Sequence, residues 1–284
     1  MLVGVALAAV AIAVMVATRD EPTSASLQWS DWHPVSTNRL VRAAEIAQHV
    51  GRQYRLNDGT QLVDVQAGPL AYNDVPLTPV VRTADPGGDL IPIYGNGIMF
   101  VLNGLGKDGS IASETPSPRR LALVEREAME LALYTFQYVE DVDHVVALLP
   151  PDPRASGATA STTASSAGAT ATATATATES APLTAQRPVR TMLFRPGDLR
   201  AQLQVPLALT FAPTTTPRPA TLTDLEARAI EAFTADNVFN GSVRSSQTGQ
   251  GFLLLDRPSA ASAGDAALSA TIPKAATEEK KKGK

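Results

Sequence analysis

Glu140-Asp141-Val142-Asp143-His144 is the densest run of metal-binding and proton-transferring side chains in the 284-residue sequence. Asp and His are ligands for divalent cations, and carboxylates favour hard ones. A hydrolase could use Asp141, Asp143 and His144 to bind a cation or to move a proton. The spacing is not that of a calcium loop, which needs D-x-[DN]-x-[DN]-G. It falls where a helix hands over to a strand, so a solvated polar connector explains the same residues. A second set is Trp29-Ser30-Asp31-Trp32-His33. Paired indoles can sit at a membrane interface, lie against a sugar face, or close one end of a core. His49 falls at the end of a predicted helix, where a cation complements the dipole and can cap the last carbonyls.

Other combinations exclude more than they suggest. With no Cys and only three His (His33, His49, His144), thiolate zinc sites, iron–sulfur clusters, disulfides and cysteine nucleophiles are ruled out. Gly104-Leu105-Gly106-Lys107-Asp108-Gly109 lacks the G-x-x-x-x-G-K-[ST] spacing and opens no predicted helix. The sequence contains no G-x-S-x-G, S-x-x-K or H-E-x-x-H. Asp85 and Asp89 are a carboxylate pair whose separation sequence does not define. Asn240-Gly241-Ser242 is a glycosylation sequon with meaning only in a eukaryotic secretory route. No cofactor is implied, no catalytic residue is assigned, and the net charge of −4 argues against nucleic acid as a partner.

The organisation of the chain is more informative. Residues 1–18 (MLVGVALAAVAIAVMVAT) carry no charge, and Arg19-Asp20-Glu21-Pro22 follow at once. As a helix this run spans about 27 Å, close to the ~30 Å of a bilayer core. It reads as a transmembrane anchor or signal-anchor, with a cleaved signal peptide as the alternative. Residues 19–26 form a stalk. Arg19 says little about orientation. The absence of thiols and a long Ala/Thr/Ser spacer place the bulk of the chain outside the cytoplasm.

That spacer lies within residues 150–187. Between Ala155 and Ala181 there are 11 Ala, 8 Thr and 5 Ser in 27 residues. Such side chains bury too little area to offset ordering costs of about 1–2 kcal/mol per residue, so disorder is predicted. Residues 259–284 form an Ala/Ser-rich tail with a basic end, also predicted to be disordered. Five of the six Lys fall between Lys274 and Lys284, a net +3 suited to weak contact with anionic surfaces.

About 194 residues, 27–149 and 188–258, remain to fold. Helices are predicted from Ser36 or Thr37 to Val50, from Pro118 to Val139, and from Leu222 to Ala235. On the first, Leu40, Ala43, Ala44, Ala47 and Val50 should face inward. On the second, Leu121, Val124, Ala128, Leu131, Thr135 and Tyr138 form a stripe. Leu133 and Phe136 lie on another side, so the helix should be covered on more than one face. On the third, Leu225, Ala229, Ala232 and Phe233 should face inward. Asn57-Asp58-Gly59 predicts a hairpin between Tyr54–Leu56 and Leu62–Val65. Val80–Arg82, Ile98–Leu102, Val145–Leu149, Val189–Phe194, Pro206–Phe211 and Phe252–Leu255 read as strands. The expected fold is a single α+β domain behind a transmembrane helix, with the spacer as a long loop. The expected function is extracytoplasmic binding of another envelope protein. An anchored hydrolase using Asp141, Asp143 and His144, or an anchored glycan-binding module using Trp29 and Trp32, are the alternatives.

Overall fold

A computed structural model describes residues 29–83, 88–111, 116–151, 189–211, 216–246 and 249–258. The anchor and stalk, the Ala155–Ala181 spacer, Asp85 and the Lys-rich tail lie outside these residues. No helix among the described residues is long and apolar enough to cross a membrane.

The elements follow the chain as α1 (Arg39–Gly51), β1 (Asp64–Pro69), β2 (Ala71–Tyr72), β3 (Val75–Arg82), β4 (Leu90–Pro92), β5 (Gly97–Asn103) and α2 (Pro118–Tyr138). Next come β6 (His144–Leu148), β7 (Val189–Phe194), the single turns α3 (Arg200–Leu203) and α4 (Leu207–Thr210), α5 (Asp224–Thr234), β8 (Val238–Ser245) and β9 (Gly251–Asp256). The strands form one mixed sheet in the order β1-β5-β6-β7-β8-β9-β3-β2, with β4 also on β3. β5/β6 and β3/β9 are parallel; the other pairs are antiparallel. Only Leu70 separates β1, at one end of this order, from β2, at the other, and Leu70 C=O accepts from Leu77 N–H at 2.9 Å. The sheet therefore curls until it nearly closes. The fold is α+β.

Each face of the curl buries a different set of side chains. Ile98, Phe100 and Leu102 of β5, Val145 and Ala147 of β6, and Met192 and Phe194 of β7 pack against α1 and α2 in the larger core. Leu70, Leu77, Val146, Leu193, Phe239, Leu253 and Leu255 fill the inside of the curl. β6 is covered on both sides, as a continuous apolar run demands. The parallel β5/β6 pair needs a crossover, which α2 supplies. Strands from both sides of the spacer meet directly, with Leu148 beside Thr191.

Local chemistry explains where the elements start. Asn38, rather than Ser36 or Thr37, caps α1 by accepting from the Leu40 and Val41 N–H groups. Ser117 caps α2, with Pro118 in its first turn, and Thr223 caps α5. Three expectations need correction. The inward face of α1 is Ala43, Ile46, Ala47 and Val50, with Leu40 and Ala44 turned to solvent. Residues 207–210 form the helical turn α4 instead of a strand: Phe211 N–H bonds back to Leu207 C=O at 2.9 Å, and the Leu207 N–H donates to Trp29 C=O at 2.7 Å rather than to a neighbouring strand. The Asn57-Asp58-Gly59 turn forms, with Gly59 at φ +88° and one bridge between Arg55 and Gln61, but the chain beyond it leaves to pair with β5.

β8 was hidden by Asn240, Gly241 and Ser242. Gly241 sits beside Val189 of β7, where a Cβ would collide with the Thr191 side chain. The sequon therefore lies within a paired strand.

Because β6 and β7 are adjacent antiparallel strands, their connection needs only a few residues. Deleting residues 155–181 is expected to leave the fold intact and to raise its stability by about 1 kcal/mol through the smaller loop-closure entropy. Urea unfolding of the two proteins measures this, and a loss of stability would mean that the spacer contributes to the fold.

Candidate functional site

The residues picked out by type do not converge. Asp141 adopts φ +54° in the turn after α2. Asp143 closes that turn against the β4–β5 connection: its N–H donates to Asn96 C=O at 2.9 Å and its carboxylate accepts from Asn96 N–H at 2.7 Å. A Cβ at Gly95, which has φ +115°, would strike this carboxylate. His144 is the first residue of β6 and faces the opposite way, buried against Gly97 and Leu70. Neither of its ring nitrogens has a hydrogen-bond partner among the described residues. Burial lowers its pKa, opposed by Asp143. The structure thus separates Asp143 and His144 and gives the carboxylate a backbone-capping task. Among the described residues no group of three or more His, Asp or Glu is placed to hold a metal ion. Gly104 to Gly109 form a loop closed by Gly104 N–H to Gly109 C=O, with a 3₁₀ turn at Lys107–Gly109.

The tryptophans belong to an aromatic cluster between α1 and α2. Trp29 meets Tyr134 edge-on at 5.4 Å and Tyr138 at 5.8 Å. Trp32 stacks on His49 at 3.9 Å with the rings 3° from parallel. Ser30 Oγ and Tyr134 Oη are 2.8 Å apart. Both indoles are half-buried against the larger core, so they pin the incoming chain to the two helices. The stack also corrects the reading of His49 as a helix-end cation. Burial, with Arg52 adding to it, lowers its pKa to about 4, so the ring is neutral at pH 7 and lies 2.9 Å from the Gln53 amide.

The largest collection of buried charge was not singled out from sequence. Arg120, Glu125, Arg126, Glu127 and Glu130 of α2 are all buried. The inference that α2 is covered on several faces already implied that charges on those faces must be paired inside. Arg126 pairs with Glu226 of α5 at 2.6 Å and lies over the rings of Phe211 and Tyr54. Glu125 accepts from Arg190 of β7 at 2.7 Å and from the Thr234 hydroxyl at 3.1 Å. Glu130 accepts from the Tyr54 hydroxyl at 2.5 Å. Glu127 has no partner for either oxygen among the described residues. Burial raises the pKa of Glu125, Glu127 and Glu130, with Glu130 raising Glu127 further and Arg55 opposing. These acids are almost wholly buried, a setting in which they store a proton and join elements.

The pairing has an outward consequence. α5 turns Glu226, Ile230 and Thr234 toward α2, which leaves Leu225, Ala229, Ala232 and Phe233 facing solvent. This corrects the inward face expected for this helix. Leu225 is 81% exposed and Phe233 45%. At spacings i, i+4, i+7 and i+8 these residues form a continuous apolar stripe on the outside of the protein. No family model, curated protein or solved structure matches the chain.

Glu127→Met, which fills similar volume without a polar group, is expected to raise stability at pH 7 by about 1–3 kcal/mol, the cost of an unsatisfied buried polar group. A lower melting temperature would mean that Glu127 has a partner. For His49, the folded chain binds the proton less tightly than the unfolded chain, whose imidazole titrates near 6.5. Its contribution is fully present above pH 6.5 and is lost as pH falls toward 4. His49→Phe keeps the stack and should make the melting temperature less dependent on pH across that window. Parallel curves for the two proteins would refute this.

Proposed function

We propose that the protein is held in a membrane by residues 1–18, exposes its α+β domain on the extracytoplasmic side, and works by binding another protein of the envelope through α5. The observation that carries this reading is the solvent-facing stripe Leu225, Ala229, Ala232 and Phe233. Amphipathic helices normally bury such a stripe, and fully burying one Leu or Phe side chain is worth about 1.5–3 kcal/mol. Here the inward side of the helix is committed to Glu226 and Thr234. Contact with a second protein would remove the outer stripe from water. Asp224, Arg228 and Glu231 are exposed on the same helix and suit a polar rim. An apolar segment at one end and an Ala/Thr/Ser spacer suit a tethered binder.

The anchor and the docking face are tested separately. Full-length protein should sediment with membranes after alkaline carbonate and require detergent for release. Recovery in the supernatant would remove the anchor. A photo-crosslinking residue at position 229 should yield one defined adduct in intact membranes. Leu225→Asp with Phe233→Asp should reduce that adduct at least tenfold without lowering the melting temperature. An unchanged adduct would remove α5 as the docking face.

A further inference from the structure

The outer edge of the sheet at β4 carries exposed apolar side chains beside exposed backbone. Leu90 is 54% exposed, Ile91 52% and the following Tyr94 79%. β4 pairs with β3 in the register Arg82↔Leu90, Val81↔Ile91 and Val80↔Pro92. Thr83 N–H donates to Asp89 C=O at 3.0 Å and Ile93 N–H to Pro79 C=O at 2.8 Å. In an antiparallel pair the bonded positions alternate. Residues 89, 91 and 93 therefore face β3, and the Leu90 N–H, Leu90 C=O and Pro92 C=O point away from it. An added strand would need two N–H donors and one acceptor opposite these groups, with apolar side chains at alternate positions.

The chain contains such a segment close by in space. β9 runs parallel to β3, with Leu255 beside Val81, and Asp256 pairs with Arg82 at 2.7 Å. The described chain thus leaves at Pro258, at the Arg82–Leu90 end of the edge. Beyond it, Leu268-Ser269-Ala270-Thr271-Ile272 alternates apolar and polar residues, and no Pro interrupts residues 259–272 before Pro273. This is the period of a strand with one apolar face. A position outside β4 is three strand spacings from β9, about 14 Å. The intervening residues 259–267 reach up to about 30 Å. Tethering also holds the segment at an effective concentration on the order of millimolar, which favours it over a second molecule.

We propose that Leu268–Ile272 adds as a further strand to the edge of β4 that no described strand occupies, covering Leu90 and Ile91. The proposal is independent of the reading of α5.

The absence of native Cys allows a direct test on the full-length protein. Leu90→Cys is combined in turn with Leu268→Cys, Ala270→Cys or Ile272→Cys and oxidised at low micromolar concentration. At least one pair should form an intramolecular disulfide in most molecules, whereas Leu225→Cys with Ala270→Cys should form none. Disulfide-linked dimers in place of monomers would assign the edge to a second copy and overturn the proposal. Equal yields from both partner positions would overturn it as well. Leu268→Asp with Ile272→Asp should speed hydrogen exchange at the Leu90 amide at least tenfold. Unchanged exchange would mean that the tail does not cover the edge.

Discussion

The rest of the structure depends on one constraint, the near-complete burial of α2. The helix crosses from β5 to β6 between the curled sheet on one side and α1 and α5 on others, yet it carries Arg120, Glu125, Arg126, Glu127 and Glu130 within its buried length. A buried charge is costly unless it is paired or neutralised. Neighbouring elements therefore arrive with partners: α5 with Glu226 and Thr234, β7 with Arg190, and the loop after α1 with Tyr54. These contacts fix the rotation of α5 about its axis. The apolar stripe on its outer side follows from what the helix must supply to its inner side.

The same burial creates two opposing pH dependences. Glu125, Glu127 and Glu130 have raised pKa values, so their contribution to stability is greatest below the usual carboxylate range and declines as pH rises through the raised values. His49 and His144 have lowered values and contribute in the reverse direction, losing stability on acidification below about 6.5. The carboxylates lie in the layer between α2 and its neighbours. His49 lies at the margin of that layer under Trp32, whereas His144 lies on the opposite face of the sheet, against Gly97 and Leu70. Acidification therefore acts on two parts of the fold with opposite sign.

Much of the architecture could be read along the chain because it is written in local terms. Ser117 and Pro118 announce α2, Ile98–Leu102 and Val145–Leu149 are apolar runs of strand length, and Asn57-Asp58-Gly59 makes its turn. β8 was not legible because Gly241 is required by the close approach of Thr191, a neighbour distant in sequence. Nor was the dispersal of Asp143 and His144, since adjacent strand residues face opposite ways and the task of Asp143 is set by the Asn96 backbone.

The sequence by itself determined the α+β character and the positions of most helices and buried strands, because composition and periodicity act over a few residues. It also excluded thiol chemistry. Only the tertiary structure decided how the helices are rotated. The periodicity of α5 defines an apolar side but not the direction in which that side points. Hydrophobic burial alone would turn Leu225 and Phe233 inward, but Arg126 and Glu125 of α2 require Glu226 and Thr234 there instead. An unpaired charge in a low-dielectric interior costs more than an exposed Leu or Phe, so the ion pairs set the orientation.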